Sequence, residues 1–200
     1  MRLLLYCTKN KWRLFFDKVK QVFTLGKIKS NNDLNGKIVA ECDYDVEKIR
    51  YGWYPQNIVP KGDYYYTYYK TSKIEPKEFY KKSCLNWEQL NSYLNDYDSQ
   101  KFDGGYAIHI KNLHIFDEPK ELDYYYSRPK KVNTFDWYRA KGYTYTNITL
   151  DKAPQNMMYC CTESGKDYIL ISIRPEWLCK ILNKEKTIEI RKKVLKEMLR

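Results

Sequence analysis

The chain has 200 residues, 43% of them hydrophobic and 30% charged, a balance that excludes a disordered chain and supports one packed core with elaborated loops. Its 36 Lys and Arg against 25 Asp and Glu leave a net charge of +11, which suits a polyanionic partner and serves solubility if there is none. No apolar run approaches the roughly 18 residues that span a bilayer, and Leu3-Leu4-Leu5-Tyr6 is too short for a signal-peptide core before Lys9 and Lys11, so a cytoplasmic protein without a membrane partner is expected.

Taken in chain order, Leu3 to Thr8 reads as a short buried strand. From Lys11 to Phe23, Trp12, Phe15, Phe16, Val19, Val22 and Phe23 recur at helical spacing with Lys and Asp between them, which predicts an amphipathic helix. Lys37 to Tyr44 alternates and predicts a strand whose more polar face carries Glu41. Tyr51 to Tyr69, rich in Tyr, Gly and Pro, reads as a strand or an ordered loop. Glu75 to Tyr97 is predicted mostly helical, with Pro76 in the first turn, a stripe of Trp87, Leu90, Tyr93 and Leu94, and Gly104-Gly105 closing the segment.

Tyr106 to Phe116 alternates as a strand that Asp117-Glu118-Pro119 is expected to end, and Lys120 to Thr146 is a second Tyr- and Lys-rich excursion. Gln155 to Cys161 and Tyr168 to Ile173 read as strands around a turn at Thr162 to Asp167. Strands and helices alternate irregularly, so the reading is α+β, with a small β-barrel or curved sheet and flanking helices in a single domain over 1–200, carrying Tyr-rich insertions around 51–70 and 120–147.

The last segment, Ile171 to Lys193, reads ISIRPEWLCKILNKEKTIEIRKK. It predicts a strand, a short helix opened by Pro175, a tight turn at Asn183 to Lys186, and a strand with Ile188 and Ile190 on one face and Thr187, Glu189 and Arg191 on the other. This resembles the ASCH branch of the PUA-like proteins, especially phage-encoded members, in which I-K/R-P-x-aromatic is followed by G-x-K-x-x-E/T-x-R at the mouth of a small barrel. Lys184 stands where that family usually has Gly. Leu3 to Lys9, Leu34 to Cys42, Gly104 to Leu122 and Lys152 to Cys160 also resemble family segments, but the segment like Ile171 to Lys193 normally comes first and here comes last. The resemblance therefore implies a circular permutation, with chain ends close together, or an exchanged C-terminal unit in a dimer.

The resemblance places Lys186, Arg191 and Arg174 at a barrel mouth as ligand-binding residues, the Arg offering a planar fork to phosphate and the Lys a point charge. In ASCH amidohydrolases that remove an acyl group from modified cytidine, chemistry falls to the motif Lys, to a hydroxyl residue three positions on and to a Glu elsewhere. Here Lys186 matches the first, and Glu189 stands in the place of the second, making these two the catalytic candidates. A Glu189–Arg191 salt bridge holding the mouth is the competing account of the same residues.

Gln155 resembles a family element near the same mouth, and Glu41 is a third polar candidate. Among 21 tyrosines, most suit cores and strands, while Tyr65, Tyr68, Tyr124 and Tyr126 are candidates for stacking on bases. His109 and His114 fall on opposite strand faces and the six cysteines form no CxxC pair, so neither metal nor disulfide is expected; with neither a P-loop nor a GxGxxG run, no cofactor is expected.

Three functions fit these residues. The first is binding of RNA, a nucleotide or a modified nucleoside in a basic cleft, as a monomer or domain-swapped dimer. The others are a hydrolase, amidohydrolase or ribonuclease, acting on a modified nucleoside or RNA, and a phage protein that binds a host protein partner and inhibits a defence component.

Overall fold

The computed structural model describes residues 1–53, 67–94, 104–127 and 148–199, with the backbone alone at 51–53, 67, 68, 148 and 197. The chain divides into two compact units: Met1–Asp43 with Leu113–Cys179, and Tyr44–Asn112 with Lys180–Arg200. The long strands β4 (Ile38–Lys48) and β7 (Tyr106–Lys120) are sheet neighbours, and each runs from one unit into the other.

In the first unit β1 (Arg2–Cys7), almost wholly apolar, is buried along its length. It pairs antiparallel with β4 and parallel with β11 (Asp167–Ile173), Leu4 lying opposite Leu170 and Leu5 opposite Ile171. Continuous apolar runs of this kind mark strands covered on both faces. A tight turn with Gly165 at φ +80° returns β11 to β10 (Met157–Cys161), followed outward by β8 (Tyr126–Ser127) and β9 (Ile148–Thr149). Leu4, Tyr6, Ile38, Tyr125, Leu150, Cys160, Tyr168 and Leu170 form one core cluster.

A separate hairpin, β2 (Arg13–Asp17) with β3 (Val22–Gly26), occupies the segment predicted as a helix. Phe15, Phe16, Val22, Phe23 and Thr24 all favour strands, and the 3.6-residue spacing of the apolar positions coexists with a period-2 pattern that puts Leu14, Phe16, Phe23 and Leu25 on one face. Asp17 decides between the two. Its Oδ1 accepts the N–H groups of Val19 and Lys20, both at 3.0 Å, and Gln21 takes the left-handed φ of 54° that completes the turn.

In the second unit β12 (Ile188–Arg191) pairs antiparallel with β7, Glu189 opposite Ile108, and β5 (Arg50–Trp53) pairs with β6 (Thr67–Lys70). The predicted helix over 75–97 is two helices, α1 (Pro76–Ser83) and α2 (Trp87–Leu94), because Cys84 turns left-handed at φ 55°. Leu90 and Leu94 are buried as expected, but Trp87 and Tyr93 stay exposed. These helices cover β12 and β7 through a core of Ile49, Tyr69, Phe79, Leu90, Leu94, Ala107, Ile188 and Ile190. Helix α3 (Pro175–Leu182) precedes β12 as the motif predicts.

The fold is α+β, built on mixed strands. The described strands form an open array in the order β7-β4-β1-β11-β10-β8-β9 in the first unit and β12-β7-β4 in the second, so they do not close the expected barrel. The strand at Tyr106 also outlasts its predicted end: β7 continues through Asp117 and Glu118, and Pro119, which donates no hydrogen bond, sits one residue from its terminus. The expected approach of the chain ends involves Arg200, which lies outside the described residues.

Candidate functional site

Three of the predicted residues come together in the second unit. After α3, Lys184 adopts φ 62°, and the N–H groups of Glu185 and Lys186 return to the Lys180 carbonyl at 2.9 and 3.1 Å. This tight turn aims Lys186 at the C-terminus of α1, where the last carbonyls lack intrahelical donors. The Thr187 N–H donates to the Lys82 carbonyl at 2.9 Å, and Lys186 Nζ donates to the Ser83 carbonyl at 2.6 Å. The Lys186 side chain is 2% exposed.

Its ammonium also lies 3.5 Å from Glu189 Oε2, while Arg191 Nη2 lies 3.0 Å from Glu189 Oε1. One nearly buried carboxylate is thus shared by two cations, and the predicted Glu189–Arg191 ion pair is present. Burial pushes the Lys186 pKa down, and Glu189 and Cys84 oppose the shift. A cation at a helix C-terminus is also favoured by the helix dipole. The arrangement anchors the α3–β12 turn on α1 and holds an ammonium and a guanidinium at fixed positions.

A second polar cluster in the same unit went unpredicted. Glu47 on β4, with a side chain 7% exposed, accepts the N–H and the hydroxyl of Ser72 at Oε2, both at 3.1 Å. Its Oε1 lies 3.6 Å from both His109 Nε2 and Lys73 Nζ. Burial acts to raise the Glu47 carboxyl, but Thr71, Ser72, His109 and Lys73 more than offset it and the net shift is downward. Burial likewise lowers the His109 pKa, against the pull of Glu47 and Asp45. Asp45 and Lys111 form the neighbouring ion pair. The spacings Asp45-x-Glu47 and His109-x-Lys111 put each pair on one strand face, a signal that becomes readable once β4 and β7 are known to be neighbours.

Of the other predicted residues, Glu41, Arg174, Gln155, Tyr124 and Tyr126 belong to the first unit, and positions 65 and 68 to the second. Glu41 accepts from Arg2 Nη1 at 2.5 Å and lies 3.9 Å from His114 Nδ1. Arg174 is exposed, and its carbonyl receives the N–H groups of Trp177 and Leu178 as α3 begins. Gln155 is exposed between Pro154 and Asn156, whose carbonyls accept the Ser172 hydroxyl at 2.6 Å and N–H at 3.0 Å. Tyr124 is 53% exposed, with Lys120 Nζ 4.2 Å from its ring centre, and Tyr126 is half-buried in β8. Tyr68 is described by its backbone in β6, and Tyr65 lies outside the described residues.

Among the described residues no group of three or more His, Cys, Asp and Glu is placed to hold a metal ion, and no helix is long and apolar enough to cross a membrane. The fold and clusters define a basic α+β protein with two internally paired polar sites. No family model, curated protein or solved structure matches the chain.

Proposed function

We propose that this chain is a cytoplasmic binding module of the PUA-like, ASCH-related kind that takes RNA, a nucleotide or a modified nucleoside. Its segment order would be a circular permutation of that fold, or would reflect exchange between two copies. The observation that carries the reading is the surplus of positive charge. The carboxylates of Glu41, Asp45, Glu47 and Glu189 all face cations of their own unit, yet the chain keeps a net +11. That surplus draws a polyanion. The strand, Pro-opened helix, tight turn and strand of the ASCH-like motif support the family reading, with the left-handed turn position at Lys184 where the resemblance has Gly.

The test is binding of fluorescent single-stranded RNA and of mononucleotides at about 50 and 200 mM salt, where phosphate contacts predict a steep loss of affinity. Affinity that does not change with salt, or no binding at either salt, would sink the proposal.

A hydrolase is the second reading, favoured by one observation: a buried Lys186 amine 3.5 Å from the Glu189 carboxylate, where burial pushes the lysine pKa down. A lysine whose pKa is lowered gives up its proton more readily. Turnover of a modified nucleoside or RNA that vanishes in a folded Lys186→Met variant supports it; turnover that survives excludes Lys186 chemistry.

A further inference from the structure

The β2–β3 hairpin concentrates two kinds of exposed side chain. Between Lys11 and Lys29 stand Lys11, Arg13, Lys18, Lys20, Lys27 and Lys29 against one acid, Asp17, and the five lysines are exposed. The same stretch holds Phe16, Val19, Val22, Leu25 and Ile28 at 40%, 94%, 38%, 38% and 83% exposure. Phe16 packs on Phe23 with ring centres 5.0 Å apart, and it shares a hairpin face with Leu25 and with the buried Leu14 and Phe23, so that Phe16 and Leu25 form the exposed part of that face. Asp17 spends an oxygen on the turn N–H groups, which holds Lys18 to Lys20 in a defined conformation at the tip.

We propose that this hairpin is the platform for a single-stranded nucleic acid, with the lysines on phosphates and the exposed Phe16 and Leu25 side chains under unstacked bases. The inference rests on the nucleic-acid reading above and adds the surface and the strandedness of the ligand. Two physical points select this occupant. Five exposed lysines with no exposed acid among them complement a phosphate backbone. Exposed apolar and aromatic side chains gain little from a duplex, whose base faces are hidden, but gain from bases splayed out of a stack.

Binding of the full chain to single-stranded RNA of about 20 nucleotides, to the matching DNA duplex and to phosphatidylserine vesicles tests this. The single strand should bind tightest. Reversing charge at Lys18→Glu, Lys20→Glu and Lys27→Glu together should weaken it at least about tenfold and flatten its salt dependence. Phe16→Leu, which keeps an apolar side chain against Phe23 but loses the stacking face, should weaken it about tenfold at either salt. A control, Lys77→Glu with Lys81→Glu on exposed α1 positions, should change affinity much less.

Equal losses in hairpin and control variants, or a duplex or vesicle bound more tightly than the strand, overturn the inference. Strand binding that survives the hairpin variants overturns the platform and leaves the nucleic-acid reading standing. No binding of RNA by the unaltered chain removes both.

Discussion

At the scale of single residues, Lys186 and Lys184 show how a motif position takes its meaning from its surroundings. Lys186 was legible as a candidate from its spacing to Glu189 and Arg191, but its place against the Ser83 carbonyl depends on a helix about a hundred positions earlier. Lys186→Met should remove the ammonium from that carbonyl and from Glu189 while filling a similar volume. A loss of about 3 kcal/mol in urea unfolding is expected, the range for breaking a buried charge pair; an unchanged midpoint would mean that the network contributes nothing net. Lys184 holds φ 62°, a region that strains a side chain with a Cβ. Lys184→Gly should therefore raise stability by up to about 1 kcal/mol, read as a higher Tm.

At the scale of elements, the hairpin over 13–26 is where period and propensity compete. Six apolar residues at helical spacing predict a helix, while β-favouring side chains and an Asp able to close a turn specify strands, and pairing Phe16 with Phe23 rewards the second pattern. Asp17→Ala should loosen the turn at a cost of about 1 kcal/mol and raise amide exchange at Val19 and Lys20. Just before β7 the constraint is steric. A Cβ placed on Gly105 would lie 2.5 Å from Leu94 Cδ2, 3.3 Å from the Arg191 carbonyl oxygen and 3.4 Å from Ile49 Cδ1. Gly105→Ala should cost about 1–3 kcal/mol through overpacking of the second core, measured by chemical unfolding. The sequence marked this glycine as the close of a helix; its neighbours make it a point of close approach.

At the scale of the whole molecule, pH reports on the buried thiols. Burial pushes Cys7, Cys42 and Cys160 up to about 12 from an ordinary 9.0. The folded chain then keeps protons that the unfolded chain releases, so this stability is fully present below pH 9 and is lost as pH rises toward 12. At pH 10 each thiol should cost on the order of 1 kcal/mol. Urea midpoints that fall between pH 8.5 and 10, and fall less in a Cys160→Ala variant compared with itself at pH 8.5, are the expected result. A midpoint flat across that range would show the thiols to be solvated.

Local pattern was enough for β1, β11, α3 and β12, because α3 satisfies its hydrogen bonds within itself, β1 and β11 present apolar runs that any core would bury, and β12 alternates Ile188 and Ile190 with Glu189 and Arg191. It offered the ion pair of Glu189 and Arg191, two positions apart on one strand, as one of two accounts of those residues. Tertiary structure alone decided the rest. The cluster of Glu47 with Ser72 and His109 needs three distant segments, and the anchoring of Lys186 needs the end of α1. Burial and hydrogen-bond satisfaction are properties of assembled surfaces, so residue order can name the groups but not the neighbours that set their charge and exposure.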